Sequence, residues 1–206
     1  MAKRKSRPAI KPPQERRTPR RKRRAPRRDA QERRLRLIAA ATELFERYGY
    51  EVPFEQIAAH AGVGRGTLYR NFGSRVDLEL AVLEHGAQQL LDELRERYSD
   101  PDALFWLLQQ GSIFGALHAP VIDSAESDPI LRKRMSSLRS RAGRLIARAM
   151  ISSREAGLLR KDFGVVDFWV VQRMFRAYAM AVPVAKRAKA IDRVLTLMRM
   201  GIAPPS

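Results

Sequence analysis

Ala61-Gly62-Val63-Gly64-Arg65-Gly66-Thr67-Leu68-Tyr69-Arg70-Asn71-Phe72 is the stretch on which the reading of this chain turns. Gly62-Val63-Gly64 has the composition of a tight turn, and residues 65–72 are long enough for about two helical turns. Leu68 and Phe72, four apart, share one face of that helix and would point inward, which leaves Arg65, Thr67, Tyr69, Arg70 and Asn71 largely outward. Just upstream, Pro53 can open a helix because its missing N–H is not needed there, with Phe54, Ile57, Ala58 and Ala61 on the inner face and Gly62 as the stop. Two short helices joined by a glycine turn are what reading a DNA major groove needs. A helix fits the groove, Arg can make two hydrogen bonds to guanine, and Thr, Tyr and Asn side chains suit phosphate oxygens. By spacing alone the pair could also be a plain helical hairpin.

Working outward, Asp29 is placed to cap a first helix, with Glu32 three residues on to return the hydrogen bond. Leu37, Ala41, Leu44, Phe45 and Tyr48 then recur as one stripe that ends near Gly49. On the other side Ser74 and Asp77 open a long helix whose pattern runs through Leu78, Ala81, Val82, Leu90, Leu91 and Leu94 to about Tyr98. Asp100-Pro101 and Asp128-Pro129 are cap-plus-proline starts before the apolar segments 103–117 and 130–156, with a short helix or loop expected around residues 120–125. Gly157 ends the second segment, and two more helical stretches flank Pro183. No alternating strand pattern occurs, so the expected class is all-α with about nine helices. The expected organisation is a basic arm at 1–28, a three-helix unit at 29–73, a connecting helix at 74–98 and a second helical unit at 99–206.

Of the 206 residues, 45% are hydrophobic, enough for a real core, while the net charge of +18 favours a polyanionic partner. Residues 1–28 hold 14 Lys or Arg and one acid. Proline-punctuated charge of this kind predicts an arm without fixed structure, either a solubilising tail or an extra contact with phosphates or the minor groove. The absence of cysteine excludes disulfides, thiolate catalysis and cysteine-held metals. The greasiest region, 169–187, is broken by Arg173, Arg176 and Pro183, and the basic start lacks the apolar run of a secretory signal. A soluble, cytoplasmic protein without a membrane partner is expected. Residues 62–67 miss the last glycine of a dinucleotide fingerprint, and no Gly-Lys-Ser/Thr tripeptide offers a phosphate loop. His60, His85 and His118 are isolated, and Asp123, Glu126 and Asp128 sit before a helix start that favours acids anyway. No metal, cofactor or catalytic residue is expected, and the protein is read as a non-enzyme.

Residues 35–84, with LIAAATELFERYGY, FEQIAAHAGVGRGTLYRNF and SRVDLELAVLE, resemble the N-terminal domain of the TetR family of repressors. The family's turn and recognition helix, usually written AGVSKGTLYHHF, stands here as residues 61–72. The resemblance implies base-edge contacts from Thr67 and Arg70, and phosphate contacts from Arg65, Tyr69, Asn71 and Arg75. Three positions depart from the usual pattern. Pro53 replaces a Thr that caps the second helix and meets a phosphate, Gly64 replaces a serine cap, and Gly73 stands where proline is frequent.

For the second unit the resemblance implies a ligand-binding and dimerising domain, its last two helices pairing with a second copy. Ile191, Val194, Leu195 and Met198 supply a matching stripe, with Arg187, Arg193 and Arg199 outside it. Candidate pocket residues are Phe105, Trp106, Ile113, Phe114, Leu117, Met135, Leu138, Trp169, Met174, Phe175 and Tyr178, each of which also fits an ordinary core. The implied protein is a homodimeric repressor on a palindromic double-stranded DNA operator, released by a small apolar or amphipathic ligand. The rival reading is a general DNA- or RNA-binding protein acting through its basic arm.

Overall fold

The computed structural model describes residues 26–202. Among the described residues there are nine α-helices, a single 3-10 turn at Val184–Lys186, and no strand. They are α1 (Pro26–Tyr48), α2 (Phe54–His60), α3 (Arg65–Asn71), α4 (Arg75–Glu96), α5 (Ala103–Leu117), α6 (Ala119–Ser127), α7 (Pro129–Glu155), α8 (Val165–Ala181) and α9 (Arg187–Ile202). The basic stretch 1–25 lies outside the described residues.

The helix ends follow local chemistry. The Ser74 hydroxyl accepts the Asp77 backbone N–H at 3.1 Å, and the Asp128 carboxylate accepts those of Ile130 and Leu131 at 2.7 and 3.2 Å. Gly164 has no side chain to cap α8, so the Asp167 carboxylate accepts its N–H at 2.7 Å instead. Gly62 ends α2 with φ +65°, a left-handed backbone that costs a residue with a Cβ roughly 1–2 kcal/mol. Two sequence expectations are corrected here. Helix α1 begins at Pro26, ahead of Asp29, which lies in its first turn rather than at its cap. Tyr48, assigned to the buried stripe, is 60% exposed because α1 ends beside it and no other helix covers that side.

Two principal cores form. The first gathers Leu37, Ala41, Leu44 and Phe45 of α1, Phe54 and Ile57 of α2, Leu68 and Phe72 of α3, and Leu78, Ala81 and Val82 of α4. The second joins α4, α5, α7, α8 and α9 around Leu94, Leu104, Leu108, Ile146, Phe168, Phe175 and Ile191. A smaller cluster of Leu80, Leu83, Val121, Ala125 and Leu131 lies where α4, α6 and α7 meet. Helix α4 therefore contributes to every cluster. Among the described residues no helix is long and apolar enough to cross a membrane.

Candidate DNA-reading surface and ligand chamber

Helix α3 is positioned from its inner face. Leu68 and Phe72 are fully buried, each worth about 1.5–3 kcal/mol of burial, and they fix the helix against α1, α2 and α4. Arg65, Tyr69 and Arg70 stand exposed, while Thr67 and Asn71 are half-buried. Their contacts hold one another in place. The Arg70 guanidinium donates to Thr67 Oγ1 at 3.2 Å, and the Asn71 amide donates to the Thr67 carbonyl at 2.7 Å. Arg65 pairs with Glu55 at 3.2 Å and lies 5.5 Å over the Tyr69 ring, which packs edge-on against Phe54. Ser and Thr caps are absent at the two departures. Pro53 caps α2 and Gly64 caps α3 through backbone alone.

Arg75 is corrected. Its Nε donates to Glu79 at 2.7 Å, and its terminal nitrogens donate to the carbonyls of Val52, at 2.7 Å, and Tyr50. With one donor on each of its three nitrogens engaged inward, Arg75 ties the α1–α2 loop to α4. Sequence reasoning also missed Arg34. From α1 it donates to the Asn71 carbonyl at 2.9 Å and lies 4.2 Å over the Phe72 ring, clamping the end of α3. Burial and the neighbouring Arg134 both lower its basicity. Its place on the half-polar side of α1 carried no signal that a partner lay 37 residues away.

A second site lies between α4, α5, α7 and α8. It is a chamber of about 140 Å³, lined by residues including Leu90, Leu107, Phe114, Leu138, Ile146 and Trp169. It opens onto a wider cleft of about 620 Å³ bounded by α6, α7 and α8. Close approach makes the chamber. A Cβ on Gly111 would lie 2.6 Å from Gln172 Nε2, and one on Gly86 would lie 2.5 Å from the Phe114 ring. Four of the eleven expected pocket residues, Phe114, Met135, Leu138 and Trp169, line it. The other seven do not. Phe175 is core, and Phe105 and Trp106 border a separate shallow cleft between α5 and α9. Ile113 and Leu117 are half-buried outside the chamber, while Met174 and Tyr178 face outward at 59% and 45% exposure. Helical periodicity groups all of these as apolar, and only the packing of α5 and α8 separates the rows that face the chamber from those that do not.

The two sites are joined by a pair that the sequence left unconnected. Tyr50, in the loop after α1, shares a hydrogen bond with His118 Nδ1 at the end of α5. Tyr50 stacks on Phe45 of the first core at 4.4 Å, and His118 lies 4.2 Å from the Phe114 ring of the chamber. Burial holds the imidazole neutral, pushing its pKa down to about 4, and raises that of the Tyr50 hydroxyl. Among the described residues no three His, Asp or Glu side chains gather as a metal site.

Comparison with known proteins agrees with this arrangement. The pattern of bacterial regulatory proteins of the tetR family matches residues 37–82. The chain carries the TetR-family N-terminal domain. A 66-residue stretch is 39% identical to the HTH-type transcriptional activator FasR of Mycolicibacterium smegmatis, covering 32% of this chain and 30% of that protein. The curated relatives are thus matched over less than half their length. The TetR fold extends further. The TetR transcription regulatory protein from Mycobacterium vanbaalenii superposes with a TM-score of 0.62 at 23% identity, covering 86% of this chain and 99% of that one. FadR from Bacillus subtilis in complex with stearoyl-CoA gives 0.55 at 17%, covering 82% and 98%.

Proposed function

We propose that this protein is a sequence-specific, DNA-binding transcriptional regulator of the cytoplasm, a repressor released from a palindromic operator by a small apolar or amphipathic ligand. The observation that carries the DNA-binding part is the presentation of α3. Buried Leu68 and Phe72 fix its axis, while Arg65, Tyr69 and Arg70 stand clear of the protein. In this reading Arg70 and Thr67 meet base edges, and Arg65, Tyr69 and Asn71 meet phosphates.

The ligand response follows from shared parts. Leu83, Ala87, Leu90 and Leu91 of α4 line the chamber, and Leu78, Ala81 and Val82 of the same helix lie in the first core. A ligand that binds better when α4 or Phe114 shifts favours a population with α3 displaced, and the operator is released.

Selecting bound sequences from random duplexes with the full-length protein tests the reading. A recovered inverted repeat, whose binding Arg70→Ala weakens, supports it. Equal binding to every duplex, abolished by deleting residues 1–25 and unaffected by Arg70→Ala, identifies arm-driven nucleic-acid binding instead. Transcription in vitro from a promoter carrying the selected site gives the direction of regulation. Loss of transcript on adding protein is the outcome expected of a repressor.

A further inference from the structure

Among the described residues that line the chamber, Gln172 of α8 is the one carboxamide. Its nitrogen end lies against α5 at Gly111, where a Cβ would come within 2.6 Å of it. Only a glycine leaves the amide this place between the two helices. Gln172 is half-buried, and among the described residues its amide makes no hydrogen bond. It is not sealed in either, since the fully buried side-chain atoms left unpaired among those residues are Tyr98 Oη and Arg154 Nε. The arginines of the same wall are engaged. Arg176 pairs with Asp123 at 2.9 Å, Arg139 lies 5.9 Å over the Trp169 ring, and Arg173 has an interaction of its own within the chain. The rest of the wall is apolar or glycine, with Leu90, Leu107, Leu138 and Ile146 around the space that the amide borders.

We infer that Gln172 is the polar anchor of the chamber, and that the ligand is a single-ring or similarly small apolar compound carrying a hydroxyl or carbonyl oxygen that pairs with this amide. This rests on the proposed ligand-sensing role and names the chemical class it takes. The size follows from the chamber's volume of about 140 Å³. Apolar cavities of roughly this volume hold one benzene ring. The oxygen follows from the amide. A carboxamide both donates and accepts, so it serves a hydroxyl in either sense and a carbonyl as donor. Left half-buried without a partner it costs stability, and a ligand oxygen removes that cost where a hydrocarbon does not. The apolar wall then supplies most of the affinity while the single amide fixes the orientation. Gly111 is a positioning residue in this scheme, since it acts only by leaving room for Gln172.

The test titrates the full chain with benzyl alcohol and with toluene, two single rings that differ by the oxygen. Binding is read from the indole N–H resonance of Trp169, in the chamber wall, with Trp106→Phe identifying the signal and thermal shift as a second readout. Both compounds are expected to move that resonance. The ratio of the toluene to the benzyl alcohol dissociation constant is expected to fall by about fivefold in Gln172→Met, which keeps the side chain's length and removes the amide. Gly111→Ala, whose methyl displaces the amide, is expected to lower the ratio in the same direction. A ratio that holds in a Gln172→Met variant with cooperative melting overturns the anchor. If that variant loses cooperative melting, Gly111→Ala decides in its place, a lowered ratio supporting the anchor and a constant one overturning it. Absence of any Trp169 response to either compound in the parent overturns the ligand class. Operator affinity measured with saturating benzyl alcohol separates the two levels, because binding as expected with unchanged operator affinity would leave the anchor standing and remove the ligand-sensing reading.

Discussion

Arg70 and Arg75 are two arginines five residues apart with opposite fates. Arg70 is exposed, and among the described residues its one side-chain hydrogen bond runs to Thr67 on the same helix, so Arg70→Ala removes nothing from the core. It is expected to weaken the selected operator by about 1–3 kcal/mol, relax preference at one base pair and leave the melting temperature unchanged, measured by titration on matched and mismatched duplexes. Arg75 serves the fold. Arg75→Met keeps the bulk but leaves the Tyr50 and Val52 carbonyls without their donor, and Glu79 half-buried without its cation. A loss of about 1–3 kcal/mol in denaturant unfolding is expected. Unchanged stability with lost DNA affinity would return Arg75 to the phosphate contacts. His118 gives the pH dependence. Its folded pKa is depressed to about 4 from 6.5 by burial, so the unfolded chain takes up the proton first as pH falls. Its contribution is constant above about pH 6.5 and is lost progressively from there down to about 4, by up to about 3 kcal/mol. In His118→Gln, unfolding measured across that window is expected to show a shallower fall.

At the scale of elements, the proposed coupling between the two sites has two candidate carriers, the α4 helix and the Tyr50–His118 pair. Tyr50→Phe keeps the ring that stacks on Phe45 and removes only the hydroxyl that His118 shares. Operator affinity without ligand is expected to stay within about threefold of the parent, while the ratio of affinities with and without ligand shrinks several-fold. An unchanged ratio would leave α4 as the carrier. This part of the molecule also marks the limit of what the chain's order of residues discloses. The outward face of α3 was legible because a two-turn helix with Leu68 and Phe72 on one face has a single way to lie down. The Ser74 and Asp128 caps were legible because the chemistry is local to four residues. Arg34 on Asn71, Tyr50 on His118 and the inward turn of Arg75 were not, because each joins segments at least 23 residues apart and depends on how whole helices cross. The chamber was half legible for the same reason. Its residue types were evident, and the row of α8 that faces it was not.

For the whole molecule, the row of α8 that turns away from the chamber is the informative one. Val166, Val170, Met174 and Tyr178 recur every four residues at 75%, 53%, 59% and 45% exposure, and Leu197 of the adjoining α9 is 55% exposed. An exposed apolar stripe of this length is a candidate contact surface, and in the proposed dimer it is the face that pairs with a second copy about a two-fold axis. That arrangement fits the requirement of the proposed operator, because two α3 helices reach successive major grooves only when a dimer sets them about one helical turn apart. Met174→Glu places a charge at the middle of the stripe without touching Phe168, Val171 or Phe175, which hold α8 to its own core. The variant is expected to keep its helical content and melting cooperativity, to sediment as a monomer at concentrations where the parent is a dimer, and to lose most of its affinity for the full palindrome. Its affinity for a single half-site should match the parent's, since α3 and its supports are unaltered. A variant that still sediments as a dimer would move the interface off α8, and a parent that is itself monomeric would remove the two-half-site geometry from the proposed mechanism.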